Sequence, residues 1–314
     1  MFTLPVLRCL RSNFPESSIS YLTSPEFAPL VESFSVTNEI LTLDRALLKR
    51  FFNGGFRELL NLWRDVSRKR YDIVVDLQCY GETACLSWLT RAPQRWGQVH
   101  RTWRAWAYTR AVPRDEKAHP VDAQLEVLAE AGLDISQPEN FFELPSDKRM
   151  AAERMFLEFG FKAGAPTVLI QPFTSTPYRD WPFEKSLALG RRLRDLQIQV
   201  LFGGGPADRE RLTPAMADAF PVAAGTDLLT SCGLASRCAL VIGPNTGLIH
   251  LATAAGCRVL LLNALGAKEY PYGHPEWMVT PRRARVPVSE IELDTVLTEV
   301  LRALESIRPQ SSIR

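Results

Sequence analysis

The sequence predicts an α/β protein with parallel sheets, arranged as two domains of similar size. Three observations carry this. Short apolar runs alternate with helix-period segments along the chain, the pattern of parallel strands joined by helical crossovers. The strongest run, Tyr71–Leu77 (YDIVVDL), is apolar except near its ends, as a strand covered on both faces requires. The chain has 314 residues, 46% of them hydrophobic, which is enough apolar mass for two cores. The best linker is Gly160–Pro166 (GFKAGAP), so the expected domains are 1–160 and 161–314.

The elements follow in order. Strands are expected at Ser18–Leu22, Glu39–Leu43 and Tyr71–Leu77, with a helix at Phe56–Arg70, where Phe56, Leu59, Leu60, Trp63 and Val66 fall at helical spacing. Helices are expected at Ala123–Ala131 and Lys148–Phe159. A second series then begins with strand Thr167–Gln171, helix Phe183–Leu196, strand Ile198–Phe202 and helix Asp208–Phe220. It continues with helix Asp227–Ser236, strand Ala239–Ile242, helix Thr246–Ala255 and strand Arg258–Leu262. An amphipathic helix at Ser289–Ser306 closes it. There is no internal sequence repeat and no low-complexity tract.

Composition excludes several function classes. The net charge of +2 gives no global signal for nucleic acid, which is not expected as a partner. No run of about 18 apolar residues is present, nor a charged-then-apolar leader. Six cysteines (9, 79, 85, 232, 238, 257) without a Cys-x-x-Cys read as reduced core thiols. There is no GxGxxG in the first domain, no GxxxxGK[ST], no GxSxG and no HExxH. An Asp-x-Asp, which would hold a divalent metal on a diphosphate, is also absent. No metal and no cofactor are therefore expected.

In parallel sheets, ligands bind beyond the carboxyl ends of strands, where helix N-termini present free N–H groups. Three loops of the second domain lie at such ends. Gln171–Pro182 (QPFTSTPYRDWP) offers Thr174, Ser175 and Thr176 hydroxyls and the Arg179 cation. Phe202–Arg209 (FGGGPADR) offers Gly204 and Gly205, which allow close backbone approach, and Asp208, which can accept from a ribose diol. Leu240–Gly256 (LVIGPNTGLIHLATAAG) offers Asn245, Thr246 and Gly247 at a helix start, with His250 one turn on. Together they describe a pocket for a nucleotide diphosphate. The rival reading makes His250 a buried brace of its turn.

The set Val74–Gln78 (VVDLQ), Arg179–Pro182 (RDWP), Leu201–Glu210 (LFGGGPADRE) and Asn245–Gly256 (NTGLIHLATAAG) resembles glycosyltransferase family 9, the heptosyltransferases of the lipopolysaccharide core. The resemblance implies a GT-B fold, with two Rossmann-like domains facing across a cleft, acceptor in the first and sugar nucleotide in the second. It implies metal-independent transfer of heptose from ADP-heptose with inversion, on the cytoplasmic side of the inner membrane. It also implies donor contacts at Arg179, Asp208, Asn245, Thr246, Gly247 and His250, which join Thr174, Ser175, Gly204 and Gly205 of the loop reading as the donor-site candidates. Arg179 stands where the family usually has Lys, and Asn245 where it has Asp. Asn263-Ala264 replaces Phe-Gly, and Pro172-Phe173 replaces Pro-Gly.

Arg91–Arg114 holds six arginines and three tryptophans with no acid. Arg95, Arg101, Trp103 and Arg104 are the candidates to face an acceptor or an anionic membrane. Finally, Met1–Arg8 reads as the start of a first helix, with Pro5 in its first turn. In the family a central strand precedes that helix and ends in a Gly-Asp whose Asp is the implied general base. Alignment would put that Asp about two residues ahead of Met1. The catalytic residue is therefore unassigned, and a non-catalytic relative that binds a nucleotide or glycan is the alternative function.

Overall fold

The computed structural model describes residues 1–44, 55–78, 80–162 and 164–307. Cys79, one of the six cysteines of the sequence, lies outside them. The chain divides into two compact units, Phe2–Asn140 and Phe141 onward.

The N-terminal unit opens with helix α1 (Leu4–Asn13), as the sequence predicts. Pro5 sits in its first turn, where a missing N–H costs nothing, and Leu4, Val6, Leu7 and Cys9 are buried. Then follow β1 (Ser20–Thr23), α2 (Ala28–Ser33), β2 (Glu39–Thr42), α3 (Gly55–Arg68), β3 (Ile73–Asp76), α4 (Gly81–Leu89), β4 (Gln94–Val99), β5 (Arg110–Pro113) and α5 (Pro120–Glu130). β1 pairs with β2 in one parallel sheet, and β3, β4 and β5 form another. Gly97 of β4 is required here, because a Cβ at that position would meet the Tyr108 ring at 2.4 Å. The Tyr108 hydroxyl donates to Asp76 Oδ2 at 2.7 Å, and Asp76 Oδ1 accepts from the Gln78 amide at 2.9 Å. Asp76, at the end of β3, is thereby buried with partners on both oxygens.

The C-terminal unit contains α6 (Ser146–Glu158), β6 (Thr167–Ile170), α7 (Phe183–Asp195), β7 (Gln199–Gly204), α8 (Thr213–Ala217), β8 (Val222–Ala224), α9 (Leu228–Arg237), β9 (Leu240–Pro244), α10 (Gly247–Ala254), β10 (Val259–Leu262), β11 (Met278–Val279) and α11 (Leu293–Ile307). Its sheet is six-stranded and parallel, in the order β11-β10-β9-β6-β7-β8. Every residue of β6, β9 and β10 is buried, as strands covered on both faces must be. One core joins Val168, Ile170, Phe202 and Ile242 of the sheet to Leu189 and Leu193 of α7 and Val296 and Val300 of α11. Trp181 anchors it, almost fully buried, its indole N–H donating to the Ile291 carbonyl at 3.0 Å.

Four expectations change. The unit boundary falls ahead of α6, not in Gly160–Pro166. α6 is bound to the C-terminal unit because it packs on α9: a Cβ at Gly233 would lie 2.7 Å from the Ala152 Cβ, and Lys148 pairs with Asp227 at 3.0 Å. The helix expected at Asp208–Phe220 breaks into a 3₁₀ turn at Pro206–Asp208 and the short α8, since Pro214 cannot donate within a continuous helix. Arg91–Arg114 contains β4 and β5, which its charge conceals. Cys9, Cys232 and Cys257 are core thiols, but Cys85 is exposed on α4. Burial pushes the Cys232 and Cys238 thiols up, and Cys257 to about 12.

Candidate functional site

β9, β6 and β7 are neighbours in the sheet and run in one direction, so the three loops of interest emerge at one edge. Chain order reverses across β6, with β7 on one side and β9 on the other. That is a topological switch point, where helices diverge and leave a crevice. Close packing fixes the crevice floor. A Cβ at Gly243 would meet the Gln171 carbonyl oxygen at 2.3 Å, and one at Gly203 would meet Gln171 Oε1 at 2.9 Å. The glycines therefore let β9 and β7 close around the buried Gln171.

The loop after β6 is shaped by a carboxylate. Asp180 Oδ1 accepts from the Thr174 amide at 2.7 Å and from the Thr174 hydroxyl at 2.8 Å, while the Thr176 amide donates to Thr174 Oγ1 at 2.9 Å. Thr174 is thus committed to holding the loop. Ser175 and Arg179 are exposed beside it. The Arg179 guanidinium stands 5.7 Å from the Tyr178 ring centroid and has no ion pair among the described residues.

Asp208 closes the second loop. Its Oδ2 accepts from the Gly205 amide at 2.9 Å, so that amide is occupied. Gly204 is required by packing, since a Cβ there would lie 2.7 Å from Leu212 Cδ1 and 3.0 Å from the Asp208 Cβ. The residue that unites the two loops is Arg211, which the sequence reading passed over. It donates to Asp180 Oδ2 at 2.8 Å and to Asp208 Oδ1 at 3.2 Å, with its guanidinium carbon 3.5 Å from the Phe173 ring centroid. A charged pair 31 residues apart leaves no local pattern, so no motif search finds Asp180 and Arg211 together.

The third loop begins α10. Thr246 is its N-cap, yet its side chain makes no capping bond and its hydroxyl is buried without a partner among the described residues. The first-turn amides at Gly247 and beyond receive no side-chain cap, which suits them to an anion. His250 is buried, and its Nε2–H donates to Asn245 Oδ1 at 2.8 Å. The histidine therefore braces the turn that presents these amides. Asn263, at the end of β10, holds its own loop by donating to the Glu269 carbonyl at 2.8 Å.

In the N-terminal unit the candidate acceptor residues separate. Trp96 of β4 is core, 4% exposed. Arg95 donates through Nε to the Ala107 carbonyl at 2.9 Å and fastens β4 to the following turn. Trp103 and Trp106 are 61% and 52% exposed, Arg101 is exposed, and the Arg104 guanidinium lies 5.2 Å from the Trp103 ring. Trp88 of α4, 50% exposed, meets Trp106 edge-on at 5.8 Å between centroids. Among the described residues no group of three or more His, Cys, Asp or Glu side chains could hold a metal ion. No helix among them is long and apolar enough to cross a membrane.

Comparisons with known proteins bear on the whole. Residues 59–264 match the family model of glycosyltransferase family 9 (heptosyltransferase). The lipopolysaccharide core heptosyltransferase OpsX of Haemophilus influenzae is 24% identical, over 83% of this chain and 74% of its own. Lipopolysaccharide heptosyltransferase 3 of Escherichia coli is 23% identical, over 99% and 96%. Among solved structures, the glycosyl transferase family 9 protein of Veillonella parvula superposes with a TM-score of 0.85 at 21% identity, covering 97% of this chain and 93% of that one. E. coli heptosyltransferase WaaC, solved with ADP-2-deoxy-2-fluoro heptose, gives 0.76 at 18% identity, covering 96% and 95%. These likenesses show a shared α/β fold of GT-B type. The chain belongs to glycosyltransferase family 9, the heptosyltransferase family, and is a glycosyltransferase.

Proposed function

We propose that this chain moves heptose from ADP-heptose to a lipopolysaccharide-core-type acceptor, with inversion and without a metal ion or cofactor. The names of its relatives supply the substrate class. One observation of its own carries the reading: three loops from adjacent strand ends meet at a switch point, with the Arg179 cation on one and the uncapped start of α10 on another. The α10 amides and the Thr246 hydroxyl would take the diphosphate, where negative charge builds as the nucleotide leaves. Arg179 would hold a phosphate bidentately. Asp208 is already engaged by Gly205 and Arg211, so only its remaining lone pairs are open to a ribose. The family's usual Lys and Asp are replaced here by Arg179 and Asn245. The charge at the phosphate is kept, and a carboxylate is exchanged for an amide oxygen that His250 holds. The setting we propose is the cytoplasmic face of the inner membrane, with peripheral attachment through the exposed Trp and Arg side chains of the N-terminal unit.

The test is calorimetry with ADP, ADP-heptose, UDP-sugars and GDP-sugars beside a turnover assay on heptose-deficient lipopolysaccharide core. ADP and ADP-heptose should bind, and the others not. Arg179→Ala should weaken ADP by roughly 1.5–3 kcal/mol, about 10- to 150-fold in Kd. An unchanged Kd rejects the pocket. Binding without turnover would shift the assignment to a non-catalytic member of the family.

A further inference from the structure

An arginine that binds phosphate must first be held near the place where the phosphate arrives. A free arginine side chain samples many rotamers, and freezing them on a ligand subtracts from affinity. Several arginines of the C-terminal unit are held by carboxylates: Arg191 by Asp218, Arg192 by Asp294 and Arg211 by Asp180. Arg179 is not. It is exposed, and among the described residues its guanidinium has no hydrogen bond and no ion pair. The group that faces it is the Tyr178 ring, whose centroid lies 5.7 Å from the guanidinium carbon. That separation is inside the reach of a cation–π attraction, about 6 Å.

Tyr178 is 77% exposed, more than any other large apolar or aromatic side chain among the described residues. A single surface aromatic is ordinary. This one is distinguished by its mount. Pro177, with its ring-fixed φ, opens the 3₁₀ turn Pro177–Arg179. The Arg179 amide donates to the Thr176 carbonyl at 2.8 Å, and the Asp180 amide to the Pro177 carbonyl at 3.1 Å. Asp180 in turn is clamped by the Thr174 amide and by Arg211, and Trp181 beyond it is buried. The backbone under both side chains is therefore pinned, and the freedom left to Arg179 is that of its side chain. A tyrosine ring has only two χ angles, so it can serve as a support at small entropic cost.

We propose that Tyr178 is a positioning residue for the nucleotide donor: its ring holds the Arg179 guanidinium by a cation–π contact and presets it for a phosphate. This inference rests on the reading of Arg179 as a phosphate ligand given under the proposed function, and it adds the residue through which that contact is prepared. A planar guanidinium can serve both partners at once. Its face lies against a ring while its N–H edge stays open to two phosphate oxygens. The ammonium of a lysine is a point charge and has no such division. Tyr178 acts through Arg179, with no contact of its own to the nucleotide. Because the pair is exposed, its effect on the dissociation constant is about two- to fivefold.

The experiment is ADP calorimetry on the full chain, with the thermal midpoint of each variant, for Tyr178→Leu, Tyr178→Phe, Arg179→Ala and the double variant Tyr178→Leu/Arg179→Ala. Tyr178→Leu should raise the ADP Kd about two- to fivefold. Its midpoint should stay at the parent value, because the side chain is exposed. Tyr178→Phe keeps the ring and should restore parent affinity. In the Arg179→Ala background, Tyr178→Leu should add nothing, since the contact it removes is already gone. An equal loss in both backgrounds would make the ring a direct ligand contact and overturn the positioning role. So would a Tyr178→Phe loss as large as that of Tyr178→Leu, which would assign the effect to the hydroxyl, or a fall in midpoint that accompanies the loss. Parent affinity in Tyr178→Leu beside a weakened Arg179→Ala rejects this inference alone and leaves the donor pocket standing. An Arg179→Ala chain that binds ADP like the parent rejects the pocket, and this inference with it.

Discussion

Asn245 and His250 sit five residues apart and are joined by one 2.8 Å hydrogen bond across the first turn of α10. That bond fixes the amide of Asn245, and with it the loop whose backbone amides are proposed to take the diphosphate. His250→Ala removes the donor from a partly buried acceptor, at a cost of about 1–3 kcal/mol. Both the unfolding midpoint and ADP affinity should fall. Asn245→Ala should move both in the same direction, and the double variant should lose less than the sum, because each single change already breaks the shared bond. Lost ADP affinity with an unchanged midpoint in His250→Ala would instead make the histidine a ligand contact. Arg211 acts in the same way on the other side of the crevice, by holding Asp180 and Asp208 together. The glycines, hydroxyls and histidine of this site were legible in the sequence because they follow buried strands at short range. The Asp180–Arg211 pair was not, because ion pairing across 31 residues depends on the fold.

At the scale of elements, α6 is the most instructive. Its position was legible from helical spacing, but its allegiance was not. Gly160 and Gly164 suggested a linker, whereas both adopt left-handed φ in turns after α6, with Gly160 at +72° and Gly164 at +78°. What decides the allegiance is Gly233. Adding a methyl there gains up to about 1 kcal/mol of helix propensity. It also drives a Cβ to 2.7 Å from the Ala152 Cβ and 3.0 Å from the Lys148 carbonyl oxygen. Overpacking typically costs about 1–3 kcal/mol, so the clash wins. Gly233→Ala should lower the urea midpoint, and adding Ala152→Gly should recover part of the loss. No loss would mean that the two helices can separate without penalty. The same contact has an electrostatic half at Asp227, the N-cap of α9, which accepts from the Leu229 and Thr230 amides. Partial burial opposes its ionisation. Hydrogen bonds from Thr230 and from Lys148 outweigh that and hold its carboxyl down at about 2. A depressed folded pKa stabilises above the ordinary carboxylate value near 3.9, and that contribution is lost as pH falls from there toward 2. Asn also caps helices. The stability gap between the parent chain and Asp227→Asn should therefore be constant above about pH 5 and close between pH 4 and 2. A gap independent of pH would show that the cap, not the charge, does the stabilising. β4 and β5 mark the opposite limit of legibility. Their Gln, Arg and Trp content reads as surface, yet β4 pairs with both β3 and β5, Trp96, Val99 and Val112 are buried, and Gly97 packs under Tyr108.

For the molecule as a whole, the surface carries its clearest signal in the N-terminal unit. Trp88, Trp103 and Trp106 are each half exposed or more, with Arg91 and Arg101 exposed near them in sequence. Exposed tryptophans of this size, set among cations, fit a membrane interface, where the ring sits at headgroup depth and the guanidinium meets phosphate. Each cation near an anionic surface contributes about 1 kcal/mol, and the attraction decays within a Debye length. That length shrinks from about 10 Å at 0.1 M salt to 3 Å at 1 M. Co-sedimentation should therefore recover the protein with phosphatidylglycerol vesicles at low salt, less at high salt, and little with phosphatidylcholine alone. Trp103→Ala with Trp106→Ala should weaken the anionic binding at every salt concentration, since it removes the inserted apolar area. Arg101→Ala should weaken it mainly at low salt. Both changes lie in the N-terminal unit, outside the loops proposed to bind the donor, so ADP affinity should stay at the parent value in both. Equal binding to charged and neutral vesicles, or none to either, would assign the tryptophans to some other contact.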